Sequence, residues 1–189
     1  MENKNSLLKE SVKAGLSIGV IGIIVFIIEY IANIKPVGFL VPILLGIISI
    51  AISITCLVIF LKKYRTGSGG FISFKDAFLY GLIALVVAGI VSALFSFLFM
   101  QFFDPQYMKG IMEAQKDWME NYLSGKMSDD QIQEQLDKID KQMNVSALRQ
   151  MLTSLAVSTI LGIIISLIVG AIMKKIPNVF DDKTSGGVI

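Results

Sequence analysis

Glu29 is the residue in this sequence whose setting most invites chemistry, because it is a carboxylate inside the apolar run Ala14 to Ile34. An ionisable group at membrane depth is costly and marks a functional site by default. At about 100° per residue, Gly15, Gly19, Gly22, Glu29 and Asn33 fall within an arc of about 80° on one helix. Glu29 is therefore expected to face neighbouring helices, with Asn33 one turn on as its local partner. Its chemistry would be a proton or cation relay, or a contact to a partner or substrate. The competing role is structural: Glu29 lies near the end of its run, where it can snorkel to the interface or pair with Lys35.

Few other residues could do chemistry. There is no histidine and one cysteine, Cys56, which sits in an apolar run. Zinc, haem and iron–sulfur sites draw on Cys and His, so no metal or cofactor is expected, and no intramolecular disulfide can form. Gly67-Ser68-Gly69-Gly70 lacks the Lys-Ser/Thr of a phosphate-binding loop and a strand before it. It reads as a flexible turn. No G-x-S-x-G and no serine–histidine pair is present. No catalytic residues are assigned, and the chain is not expected to be an enzyme. A net charge of +2 without a basic stripe argues against nucleic-acid binding.

Glu29 has to be positioned by helices in a bilayer. Apolar residues make up 54% of the 189, and only 17% are charged. The apolar excess falls in four blocks, at about residues 14–34, 37–61, 74–103 and 152–173, each long enough to cross a hydrocarbon core of about 30 Å. A backbone in lipid must satisfy its own hydrogen bonds, and runs such as Ile160-Leu161-Gly162-Ile163 do not alternate as barrel strands do. The fold class is therefore all-α: a polytopic bundle of four transmembrane helices forming a single membrane domain over residues 1–189. The basic start and apolar run of the first block also fit a signal peptide, but the run is long and has no A-x-A site after it. Pro36 ends the first helix, Pro42 is placed to kink the second slightly, Ser73 with Asp76 caps the third, and Pro177 stops the fourth.

Lys4, Lys9, Lys13, Lys62, Lys63, Arg65, Lys75, Lys174, Lys175 and Lys183 fall on one side of such a bundle. Basic residues mark the cytoplasmic side. The expectation is a multi-pass protein of a bacterial inner membrane with both termini cytoplasmic. The polar segment 104–150, in which acidic residues outnumber basic ones, is then extracytoplasmic. Its apolar residues recur at helical spacing: Tyr107, Met108, Ile111, Met112, Trp118, Met119, Tyr122 and Leu123, then Ile132, Leu136, Ile139 and Met143. Gly125 separates the two sets, and Ser128 with Gln131 caps the second, so a helical hairpin is predicted. It either packs on itself and the membrane surface, docks a partner through its methionines and Trp118, or forms a lid.

Small residues mark where membrane helices approach closely. The fourth helix has Ser154, Ser158, Gly162, Ser166 and Gly170, each four apart. The third has Ala84, Ala88, Ser92 and Ser96, the first Ser11, Gly15, Gly19 and Gly22, and the second Gly46, Ser49 and Ser53. One compact bundle explains all four stripes. Homodimerisation through the fourth helix is the other use of the same pattern.

The loop Tyr64-Arg65, then Gly69-Gly70-Phe71-Ile72-Ser73-Phe74 and Ala77-Phe78, together with the early hairpin and the insert before the last helix, resembles the bacterial DUF4199 family over roughly residues 5–180. The resemblance implies a four-helix membrane protein and carries no activity and no catalytic residues. The functional expectation is an integral membrane protein of unknown function, serving as a non-enzymatic structural or accessory component of a membrane assembly. The alternatives are a small transporter or channel using Glu29 and, more remotely, a membrane enzyme. The expected partners are the lipid bilayer and either another membrane protein or a second copy of the chain.

Overall fold

The structure is a computed structural model and describes residues 2–143 and 145–176. Pro177, Lys183 and the side chains of Lys4 and Met143 lie outside the described residues. Among the described residues six α-helices follow one another: α1 (Glu2–Ile31), α2 (Leu40–Gly67), α3 (Phe74–Leu98), α4 (Tyr107–Leu123), α5 (Asp129–Met143) and α6 (Ala147–Met173). A π-helical stretch, Phe99–Phe103, prolongs α3. The fold is all-α, and α1, α2, α3 with its extension, and α6 are long and apolar enough to cross a membrane.

The helices outrun the apolar blocks, because an apolar run marks the part of a helix suited to lipid and not its full length. α1 begins at Glu2, ahead of Ala14, and α2 continues through Lys62, Lys63 and Arg65 to Gly67. At the other end of α2, Val37 to Phe39 stay outside the helix, which begins at Leu40. Pro42 thus falls in the first turn, where the N–H it lacks would have no helical acceptor. It gives no reason for a kink. The Ser73 hydroxyl accepts from the Asp76 N–H at 3.1 Å and lies 2.7 Å from the Asp76 carboxylate, as its donor. The Asp76 side chain therefore bonds the cap's hydroxyl, not its backbone N–H.

α3 is the central helix, with α1 on one face and α6 on another. Glycines set both contacts. A Cβ on Gly15 would lie 2.5 Å from the Ala84 carbonyl oxygen, and one on Gly19 would lie 2.8 Å from Val91 Cβ. On the other face, α6 interleaves with Phe78, Gly81, Leu85 and Gly89: Gly170 meets the Phe78 backbone, Ser166 meets Gly81, Gly162 meets Leu85, and Ser158 meets Gly89. α2 is held more loosely. Its buried residues, Leu57 and Leu61, both lie in its C-terminal half.

The loop between α2 and α3 is latched to the end of α6. Ile72 and Lys175 exchange two backbone hydrogen bonds of 2.9 Å as an isolated antiparallel bridge. Arg65 donates to the Met173 carbonyl at 3.1 Å, satisfying one of the carbonyls a helix end leaves open. Gly69 and Gly70 both have φ near +85° (+86° and +85°), which lets the chain turn sharply there. Beneath the latch, Tyr64 lies against Tyr80, and the Tyr80 hydroxyl donates to the Glu10 carbonyl at 3.3 Å. Leu57, Leu61, Ala77 and Tyr80 are fully buried in this half of the bundle.

Candidate functional site

At the opposite end, α1 closes in a Schellman turn. Ile34 N–H bonds the Glu29 carbonyl at 2.9 Å, and Asn33 N–H bonds the Tyr30 carbonyl at 3.0 Å. Asn33 sits at φ +54°, the left-handed position of that motif. This corrects the expected Glu29–Asn33 pair. Asn33 has left the helix, is exposed, and has no hydrogen bond to the Glu29 side chain. Glu29 forms no ion pair with Lys35 either, although both residues line one cavity of about 470 Å³.

The elements around that cavity are fixed by aromatic packing. Phe26 and Tyr30, one turn apart on α1, meet Phe99 edge to face at centroid distances of 5.1 and 5.0 Å, and Tyr107 of α4 meets Tyr30 at 5.4 Å. Such pairs add to simple burial. The π-helical stretch turns Phe99 inward and leaves Phe102 and Phe103 exposed. It ends where Asp104 N–H bonds the Phe99 carbonyl five residues back, at 2.9 Å. Asp104 then accepts from the Tyr30 hydroxyl at 3.1 Å and from the Gln106 N–H at 3.2 Å. Burial pushes the Tyr107 hydroxyl above its ordinary range, and the nearby Glu29 carboxylate pushes the same way. Tyr107 is thus a neutral hydroxyl beside an acid.

Glu29 also lines a second cavity of about 220 Å³ with Gly22, Ser49, Ser92 and Ser96. Gly22, Ser49 and Ser92 in turn line a third, of about 190 Å³, which Ser53 and Ser158 complete. The third is bounded by Ile18, Leu85 and Ala88, which belong to the packed core. A seam of serine hydroxyls set among apolar side chains thus runs from the Glu29 cavity into the bundle and stops against that core. With Glu29 and Asp104 against Lys35, its mouth carries an acidic excess. Such a surface can exchange a proton or hold a cation or a hydrogen-bonding group. Its hydroxyl–carboxylate pair is Tyr30 with Asp104.

The remaining candidate residues serve packing. Ala84 and Ala88 are buried under Gly15 and Gly19. Gly22 is looser, with Ser92 Oγ 3.5 Å from where its Cβ would be. Ser158, Gly162, Ser166 and Gly170 all face α3. Sequence reasoning had not picked out Tyr30, Asp104 and Tyr107 beside Glu29, or Gly81 and Gly89 opposite α6. The pair Phe26 and Tyr30, four apart and flanking Glu29, was the available signal for the aromatic wall.

In the insert, α4 turns its aromatic residues back on the bundle. Gly38 N–H donates to Gln115 Oε1 at 2.7 Å, and Trp118 packs edge to face on Phe39 at 4.9 Å and stacks on Tyr122 at 4.7 Å. Gly125 at φ +77° permits the turn to α5. Ser128 N–H bonds the Gln131 side chain at 3.3 Å, and Leu136 and Ile139 bury themselves between the two helices. Lys116 and Asp140 form an ion pair across the hairpin.

The sequence model described as a protein of unknown function, DUF4199, matches residues 13–175. The chain belongs to the DUF4199 family. That span takes in α2, α3 and the latch. Arg65 caps α6, Ile72 pairs with Lys175, Ser73 caps α3, and Ala77 and Phe78 sit where α3 and α6 close on each other. In this chain the loop residues 64–78 are thus a structural device at one end of the bundle. No curated protein and no solved structure matches the chain.

Proposed function

We propose that this DUF4199 protein is a non-enzymatic accessory component of a membrane assembly. It would lie in a bacterial inner membrane with both ends cytoplasmic and the α4–α5 insert outside, as the positions of its lysines favour. The observation that carries the reading is the seam beside α2. Gly22, Ser49, Ser53, Gly89, Ser92 and Ser158 line it, and a Cβ on Gly46 of α2 would meet nothing within 4 Å. Small and hydroxyl residues are what close helix contacts in a bilayer use. Ile18, Ile50, Leu85, Leu161 and Ile165 complete the lining, and a further transmembrane helix packing there would meet both the small residues and these apolar side chains. A photo-crosslinking residue at Ser49, with one at lipid-facing Ile164 as control, tests this in native membranes. A discrete protein adduct is expected from Ser49 alone. Lipid adducts alone from both positions would overturn the proposal.

The Glu29 cavity favours a second reading, a small transporter or channel. Its support is that the seam leads to an acid lacking an ion-pair partner among the described residues. Glu29→Gln keeps the shape and removes the charge. A pH- or ion-dependent flux into vesicles that the wild type supports and Glu29→Gln abolishes, with folding intact, would put transport first. The accessory reading expects no such flux from either protein.

A further inference from the structure

A second opening at the insert end has a different character. It is a groove of about 670 Å³, between the end of α3, α4, the end of α5 and the start of α6. Its volume lies within the range of small-molecule sites. Met100, Met108, Met112 and Met151 line it, with Phe97 and Val157. Four methionines make a wall that reshapes around a flexible chain. Lys141 and Arg149 line the same groove. Neither has an ion-pair partner among the described residues, whereas Lys109, Lys116 and Lys138 of the insert pair with Glu113, Asp140 and Glu134, and Lys126 lies over the Tyr122 ring. The groove therefore joins an apolar, adaptable lining to two unneutralised cations.

We infer that this groove holds a phospholipid with an anionic headgroup, one acyl chain against the methionines and the phosphate at Lys141 and Arg149. Geometry along α6 supports the match. Arg149 and Val157 both line the groove and stand eight residues apart, about 12 Å of helix. That is close to one leaflet's share of a hydrocarbon core of about 30 Å. Arg149 enters at the first turns of α6, where a headgroup would sit, and Val157 lies at the depth of the chain. An arginine can take a phosphate through two parallel hydrogen bonds, and a lysine adds a point charge. A neutral amphiphile would leave both cations unanswered.

The test uses the full-length protein purified in mild detergent and offered phosphatidylglycerol or phosphatidylcholine of the same acyl chains. Retained lipid is counted by native mass spectrometry. Two cations near an anionic headgroup should give the wild type a preference for phosphatidylglycerol of roughly thirtyfold. Lys141→Gln with Arg149→Gln should abolish the preference, while Lys138→Gln should keep it. Met112→Trp, which fills the groove, should lower retention of both lipids. The two charge positions are exposed, so their substitution leaves the fold in place. Equal retention of the two lipids by the wild type, or an undiminished preference in the double variant, would overturn the assignment.

Discussion

The contact between α1 and α3 can be tested with a single methyl group. A Cβ on Gly15 would stand 2.5 Å from the Ala84 carbonyl oxygen and 2.7 Å from Val87 Cβ. Ordinary contact begins at 3.4 Å, so the methyl is about 0.9 Å too close to a backbone atom that cannot rotate away. The helices must separate, and the dispersion contacts along the whole Gly15–Gly19 seam weaken with them. Overpacking of this kind costs about 1–3 kcal/mol. Against it stands the gain of replacing a helical glycine by alanine, roughly 0.5–1 kcal/mol. Gly46→Ala isolates that gain, because nothing lies within 4 Å of its new Cβ. Gly15→Ala should therefore melt lower than wild type in detergent, followed by helical circular dichroism, while Gly46→Ala melts at the same temperature or slightly higher. Should the two alanine variants melt together, the close approach of α1 and α3 at Gly15 would be wrong.

Gly162→Leu should destabilise the bundle more than Ile164→Leu, because Gly162 faces Leu85 Cβ at 3.3 Å from its own missing Cβ whereas Ile164 is half exposed to lipid; equal melting temperatures would remove this contact. Ser166 Oγ is buried and has no hydrogen-bond partner among the described residues, so Ser166→Ala should raise stability by up to about 1–3 kcal/mol, and a marked loss would mean that the hydroxyl has a partner. Cysteines at Ser68 and Ser124 in a Cys56→Ser background test the orientation. An impermeant thiol reagent added outside should label Ser124→Cys and spare Ser68→Cys, and the reverse pattern would invert the topology.

The four spans and the helical hairpin were legible in the sequence because each rests on a long local pattern: apolar run length for the spans, and a 3.6-residue period for α4 and α5. The α6 stripe was legible for the same reason. Its partner face on α3 was not, since Gly81 and Gly89 are separated by Leu85, a large residue that breaks a small-residue repeat yet packs well against Gly162. Glu29 was legible as the outlying charge, but its surroundings were not. Asp104 reads locally as a block end before Pro105, and nothing near it in sequence signals a bond to Tyr30, seventy-four residues away. Asn33 looked like a side-chain partner at helical spacing, and the spacing misled because the helix had already ended. The Ile72–Lys175 bridge is made by backbone atoms, so no residue type announces it.

The two ends of the bundle are held together by different contacts. At the latch end, Arg65 and Ile72 answer backbone groups of the α6 terminus, and Leu57, Leu61 and Tyr80 fill the space between helices. At the insert end, α2 has no buried residue, and the seam and the methionine groove both open there. The latch end has a cavity of its own, about 190 Å³ among Tyr64, Ser68, Phe71, Asp76 and Lys175, and it shares no lining residue with the Glu29 cavity. The latch holds α2, α3 and α6 together at one end, and at the other α4 is tied to the α1–α2 turn by Gln115 and Trp118. The insert is thus joined to the bundle through side chains of α4 that meet Gly38 and Phe39, the residues just ahead of α2.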